Sequence, residues 1–473
     1  MSQVFDTIVL GGGIGGYSAA IRASQLGKTV AIVEQDKLGG TCLHRGCIPS
    51  KALLRSAEVY ALMKESDRFG IQAEAVRLDY AKISDRKNSI VDQLYQGLQF
   101  LMKKNKITVF NGKGRIIGPS IFSPRSGTVS VEQEDGEILN LVPDKLIIAT
   151  GSRPRTLPGL ETDGVTVLNS DEALQLEALP ASAIIIGGGV IGVEWASMLS
   201  DFGVEVTIVE YAPRLLPSED EDASRELEKL LKKRGVTIYT GAKVQTESVV
   251  RGAKQVTISI EQRETTQELT AQLALVCVGR QANIEGIGLQ NTDVKVENGF
   301  IKVNEDMQTA ELHIYAVGDC IGGLQLAHAA AHEGIAAAEH GAGLPTHAYA
   351  PHQVPRCVYS RPEIASIGYT EREAREQGRQ VKTAKLYFQG LGKARVLGET
   401  DGFVKVVADE ESGDIVGVHM IGAHVTDYIA EAALAQLLNA TPWEVGQTIH
   451  PHPTLSEILG EAMLAVDGKS ISF

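Results

Sequence analysis

Gly11-Gly12-Gly13-Ile14-Gly15-Gly16 and Gly187-Gly188-Gly189-Val190-Ile191-Gly192 are two copies of one pattern. Each follows a short apolar run, Thr7-Ile8-Val9-Leu10 in the first copy and Ala183-Ile184-Ile185-Ile186 in the second. Each leads into a helix-like segment stopped by glycine, Gly27 or Gly203. A second apolar run then ends on an acid, Glu34 or Glu210, and the interval from first glycine to acid is the same in both copies. Internal repetition of this kind is a strong organisational signal.

In G-x-G-x-x-G the first glycine (Gly11, Gly187) permits a tight turn, and the second (Gly13, Gly189) lets backbone approach a pyrophosphate. The third (Gly16, Gly192) lets helix and strand pack closely. The helix start then offers unpaired N–H groups to the anion. Glu34 and Glu210 stand where a carboxylate accepts hydrogen bonds from ribose hydroxyls. The pattern predicts two βαβ units and two dinucleotide sites; ordinary glycine-rich turns in a nucleotide-free fold would need the same coincidence twice. Glu210 would repel a 2′-phosphate, which favours NAD over NADP, although Arg214 lies only four residues on.

The chain has 473 residues, enough for about three domains. It carries 45 Lys and Arg against 59 Asp and Glu, a net charge of −14, which argues against nucleic acid or an anionic membrane as partner. No apolar run approaches the ~18 residues of a membrane span. Met1–Asp6 has no basic region, and the five cysteines are too few for a disulfide scaffold, so a cytoplasmic location is expected.

Two cysteines stand close together in Gly39-Gly40-Thr41-Cys42-Leu43-His44-Arg45-Gly46-Cys47-Ile48-Pro49-Ser50-Lys51. In a regular helix that spacing rises about 7.5 Å, beyond the ~7 Å limit for bridged Cα atoms. A bridge therefore needs broken backbone, which Gly46 and Pro49 are suited to provide, with a helix expected from Ala52. A thiolate near a helix start is stabilised, and such a pair beside a redox cofactor could pass two electrons. A zinc site would want further ligands, and two buried thiols would not need this punctuation. Cys277, Cys320 and Cys357 read as small buried hydrophobes.

His450-Pro451-His452-Pro453-Thr454-Leu455-Ser456-Glu457 is a third landmark. Exchange with an external dithiol needs a base, and a histidine partnered by a carboxylate suits that task. Surface histidines on a Pro-rich loop are the alternative. His328 and His332 share a helix face at i, i+4 but lack a third ligand, so no metal site is expected. Arg153 to Pro158 reads as a linker.

Together these segments, with the Ala149-Thr150-Gly151 turn and Tyr315-Ala316-Val317-Gly318-Asp319, resemble the pyridine nucleotide–disulfide oxidoreductases over essentially the whole chain. The resemblance implies an α/β fold: two Rossmann-like dinucleotide-binding domains plus a C-terminal α+β dimerisation domain. FAD binding would fall in 1–152, NAD binding in 153–275, a central domain completing the FAD site in 276–347, and the homodimer interface in 348–473. The implied FAD contacts include Lys51, Gly114, Thr150, Gly151, Ser152, Asp319, Leu326, Ala327 and His328, and the NAD site gains Val244 and Gly279. Lys51 and Glu194 are implied to pair near the flavin, and Cys42 and Cys47 to form the redox disulfide. His452 is implied as base with Glu457 its partner, completing the other subunit's site.

Ile48-Pro49-Ser50-Lys51, Glu210 and the His450 to Glu457 run are similar to the branch that oxidises protein-bound dihydrolipoamide with NAD+ in 2-oxo acid dehydrogenase complexes, next to an acyltransferase core. A related NAD(P)H-driven reductase of another disulfide or of a metal ion is the alternative. Two departures stand out. Leu43-His44-Arg45-Gly46 replaces the usual Leu-Asn-x-Gly, and Gly279 to Asn283 lacks the usual proline; both resemble forms from branched-chain 2-oxo acid complexes.

Overall fold

The computed structural model describes residues 2–119, 125–346 and 349–472. Two compact units emerge. The first takes in Met1–Ala52, Lys82–Arg155 and Arg280–Tyr349; the second takes in Leu53–Ala81, Thr156–Gly279 and Ala350–Phe473.

In the first unit the strand Ser2–Leu10 is central to a seven-stranded sheet. Val30–Glu34 pairs parallel with it on one side and Ile138–Ile148 on the other, with Thr7 opposite Val30 and Leu10 opposite Ile148. Thr108–Asn111 extends the sheet beyond Val30–Glu34, and Ile314–Ala316 pairs with Ile138–Ile148. These strands read as continuous apolar runs because both sheet faces are covered. Ile8, Val9, Ile32, Leu146, Ile147 and Ile148 are all fully buried. With Val30–Glu34 on one side of Ser2–Leu10 and Ile138–Ile148 on the other, the carboxyl end of that strand is the usual ligand position in such sheets.

The second unit repeats the scheme. Ser182–Ile186 lies between Glu205–Glu210 and Leu273–Val276, all parallel, with Thr237–Thr240 and Val167–Asn169 at the edges. A three-stranded antiparallel sheet, Ala242–Arg251, Val256–Gln262 and Thr265–Ala271, follows. The C-terminal segment builds a five-stranded antiparallel sheet around Glu363–Gly368, Ile415–Gly422 and Phe403–Asp409. The helices Val425–Leu437 and Glu457–Ala465 pack on it through Ile429, Ala432, Ile458, Leu459 and Met463.

Two local expectations need correction. The presumed linker holds a strand, Ser152–Pro154, paired antiparallel with Arg280–Ala282, so ladder hydrogen bonds order it despite its prolines. The helix expected from Ala52 begins at Cys47. Pro49 falls in its first turn, where no intrahelical N–H partner is lost, and so does not break it.

Candidate functional site

The two glycine loops are matched in geometry. Gly11 has φ +109° and Gly187 φ +107°; a Cβ on either would lie 2.3 Å from a carbonyl oxygen, that of Ala149 or Cys277. A Cβ on Gly16 would lie 2.0 Å from Gly11 O, and one on Gly192 1.9 Å from Gly187 O. The fold itself demands these four glycines. The second glycines differ. Nothing lies within 4 Å of a Cβ on Gly189, and the nearest described atom at Gly13 is Gly40 Cα, at 4.0 Å. Backbone is left bare there although packing does not require it, which fits a pyrophosphate held against it.

Each acid after the loop grips it. Glu34 accepts hydrogen bonds from Gly12 N at 2.7 Å and Asp36 N at 2.8 Å. Glu210 accepts from Gly188 N and, at 2.5 Å, from Ala212 N. Each carboxylate oxygen keeps acceptor capacity for a ribose hydroxyl.

Around the second loop, Gly187, Gly189, Glu210, Val244, Cys277 and Gly279 line a cavity of about 560 Å³, mostly apolar and sized for part of a dinucleotide. Arg214 is absent from that lining. Its guanidinium donates to the carbonyls of Leu216, Glu219 and Pro217, the last at 2.7 Å. These bonds hold it away from the lining, whose charged side chains are Lys243 and Glu210, the latter placed to repel a 2′-phosphate. The donor set fits NAD. Glu194 lies apart from this lining, buried in the helix Val190–Asp201, where it accepts from Tyr359 N at 3.0 Å.

In the first unit, Ser152 and Asp319 meet: the Ser152 hydroxyl donates to the Asp319 carboxylate. Arg280, which sequence reasoning did not single out, donates Nε to Ser152 Oγ at 2.7 Å and Nη2 to Ser152 O at 2.9 Å. The Thr150-Gly151 turn is tied by Asn283, whose side chain donates to Thr150 O and whose amide donates to Gly151 O. Glu333 was also missed; it is buried and accepts from Gly318 N at 2.7 Å. Gly114 serves packing, since a Cβ there would lie 2.4 Å from Leu10 Cδ1. Leu326 caps the helix Ala327–Gly341, which places half-buried Ala327 and exposed His328 at its amino end. His328 and His332 are both exposed, and no metal-binding cluster occurs among the described residues.

The segment that leads into the cysteine pair is tied to the first glycine loop. Cys42 lies in the five-residue helix Gly40–His44, and Cys47 opens the helix Cys47–Lys64. Gly39 N donates to Gly12 O at 2.8 Å. The two side chains are hydrogen-bonded. That bond to Cys47 raises the Cys42 thiol above its ordinary range; burial and negative charge on Cys47 act the same way, and the Lys51 ammonium opposes them. Cys42 therefore keeps its proton in the dithiol, and Cys47, at a helix start, is the better placed sulfur to carry charge.

At the other landmark, His452 Nδ1 lies 2.9 Å from Glu457 Oε1, and Glu457 Oε2 accepts from Thr454 N at 2.8 Å. Burial would raise the Glu457 carboxyl, but the Thr454 amide and His452 outweigh it and hold it below its usual value. The His452 side chain is 78% exposed, presenting its other nitrogen outward. His450 forms a second pair, with Glu431 at 2.8 Å.

Comparison with known proteins agrees with this geometry. Residues 5–334 match the model of the pyridine nucleotide-disulphide oxidoreductases, and residues 354–463 match that family's dimerisation domain. The chain is 61% identical to a dihydrolipoyl dehydrogenase of Bacillus subtilis (strain 168), with all of both chains covered. It is 42% identical to one of Zymomonas mobilis, again over the whole of both chains. Among solved structures, LpdA from Mycobacterium tuberculosis superposes with a TM-score of 0.90 at 27% identity, covering 97% of this chain and 99% of that one. The HOCl-induced flavoprotein disulfide reductase RclA from Escherichia coli gives 0.84 at 26%, covering 97% and 99%.

Proposed function

The chain belongs to the pyridine nucleotide–disulphide oxidoreductase family, and from that membership we propose that it oxidises dihydrolipoamide to lipoamide through Cys42 and Cys47 and reduces NAD+. The observation that carries this reading is a hydrogen-bonded thiol pair whose leading segment, Gly39 and Gly40, is tied to the turn of a dinucleotide site. FAD and NAD are its coenzymes. The first glycine loop, Glu34, Ser152 and Asp319 would hold FAD; the second loop, Glu210, Val244 and Gly279 would hold NAD. Lys51 and the Leu326 to His328 turn also belong to the proposed FAD site, and Glu194 is assigned to the coenzyme sites by resemblance.

The chain carries the family's dimerisation domain and forms a homodimer. In it, His452 of one protomer serves the cysteines of the other, a role suited to a base so open to solvent. His452 takes the proton of one dihydrolipoyl thiol, with Glu457 stabilising the imidazolium. The resulting thiolate attacks Cys42 Sγ, the Cys42–Cys47 bond breaks, and Cys47 leaves as the thiolate. The second substrate thiol loses its proton to solvent and attacks the sulfur bonded to Cys42, forming the lipoamide disulfide and releasing Cys42 to recover a proton from His452. Bound FAD supplies the two-electron link from the reduced pair to NAD+.

The substrate dithiol is proposed to be a lipoyl group carried by the acyltransferase core of a 2-oxo acid dehydrogenase complex in the cytoplasm. Among the described residues no helix is long and apolar enough to cross a membrane. Steady-state rates decide the reaction. Dihydrolipoamide with NAD+ should turn over at least about 100-fold faster than NADPH with glutathione disulfide, a gap of roughly 2.7 kcal/mol; the reverse order would reject the proposal.

A further inference from the structure

Cys47 is anchored by an 18-residue helix, but Cys42 rides on a helix of only five residues. One turn of helix is not stable alone, so something must fasten it. Its amino end is held by the Gly39 N to Gly12 O bond. Its carboxyl end is held by His44, which replaces the asparagine usual between such cysteines. His44 Nε2 donates to Leu38 O at 2.8 Å. The ring also meets Tyr95 edge-on, with centroids 5.3 Å apart and planes at 73°. Both anchors are firm. Leu38 is buried against the Gly12 backbone, and Tyr95 lies on the long helix Tyr80–Lys104 and packs on the same core. The neighbouring Arg45 also pairs with Asp36, at 2.7 Å, but both side chains are nearly half exposed, and such pairs contribute little.

We propose that His44 is a positioning residue for the redox pair: it clamps the short helix to Leu38 and Tyr95 and so holds Cys42 against Cys47. The inference rests on the reading of these two cysteines as the redox disulfide. Closing a disulfide inside one chain depends on the effective concentration of one thiol at the other, which falls steeply when either is allowed to wander. His44 supplies both a hydrogen-bond donor and a ring. An asparagine there would lack the ring, so the histidine gives this chain a tighter clamp.

The test is the thiol–disulfide equilibrium of the holoenzyme in glutathione buffers, read by acid quench, alkylation and mass spectrometry of the Cys42–Cys47 segment. His44→Ala should lower the disulfide formation constant about tenfold. His44→Gln keeps the donor and His44→Phe keeps the ring, so each should lose only about threefold. Melting temperature and flavin content, recorded for every variant, show whether the protein is folded; if the alanine variant does not fold, the glutamine and phenylalanine variants carry the test. A constant within twofold of wild type in all folded variants would overturn the proposal. The equilibrium is measured without dihydrolipoamide, so a wild type that forms the bridge yet fails to oxidise dihydrolipoamide would reject the proposed reaction while leaving the clamp testable.

Discussion

Glu210 and Arg214, four residues apart in sequence, face different surroundings: the carboxylate lines the apolar cavity beside the second glycine loop, while the guanidinium is tied to the carbonyls of Leu216, Pro217 and Glu219. The Arg214 guanidinium is thereby withdrawn from the described lining, where Glu210 and Lys243 are the charged side chains and the carboxylate stands against a 2′-phosphate. NADP+ should therefore support turnover at no more than a few per cent of the NAD+ rate. Glu210→Ala should weaken NAD+ about tenfold in KM without making NADP+ a good substrate. Steady-state kinetics with both coenzymes checks this.

The second and third glycines of that loop can be told apart by substitution. Gly189→Ala meets open space and an ordinary φ of −74°. It should leave the melting temperature within about 2 °C of wild type and yet raise KM for NAD+ at least tenfold. Gly192→Ala drives a methyl group to 1.9 Å from Gly187 O, and overpacking of that kind costs about 1–3 kcal/mol or more. Its melting temperature should fall, as read by thermal denaturation.

Removing the base should act on thiol exchange. His452→Gln should lower kcat with dihydrolipoamide by about 10² to 10⁴, the usual worth of a positioned acid–base group. Glu457→Gln should cost less, because the imidazole stays in place but loses the carboxylate that orients it. Stopped-flow reduction of the enzyme by dihydrolipoamide at several pH values would show both effects.

Acid stability has an identifiable contributor in His419. It is fully buried, Nε2 donates to Tyr369 O at 3.0 Å, and burial lowers its pKa below the usual value. In the unfolded chain it takes a proton near pH 6.5, whereas in the fold it does so only at lower pH. Its neutral form therefore favours the native state above about pH 6.5, and that stability is lost as pH falls towards its folded pKa. Melting temperature should drop between pH 7 and pH 5, and the drop should be shallower in His419→Gln.

Much of the fold and the site is legible in the sequence. The repeated glycine loops, the acids that follow them, the cysteine pair and the His452–Glu457 pair are local, and short-range spacing is what a sequence displays. Arg280 was not legible, because its value lies in reaching Ser152 across a long stretch of chain. Nor was the strand at Ser152–Pro154, whose pairing partner is equally remote. Arg214 was visible as a charge, but its direction is set by three carbonyls of a loop that no periodicity announces. The early start of the helix at Cys47 follows from proline being well suited to a first turn, a preference that the spacing of Gly46 and Pro49 concealed.

The most direct test counts electrons. Anaerobic titration of the FAD-loaded protein with dithionite should consume two 2-electron equivalents per protomer, and alkylation after the first should label Cys42 and Cys47. Cys47→Ser should consume only one. A wild-type protein that accepts a single equivalent, with neither cysteine becoming reactive, would contradict the account.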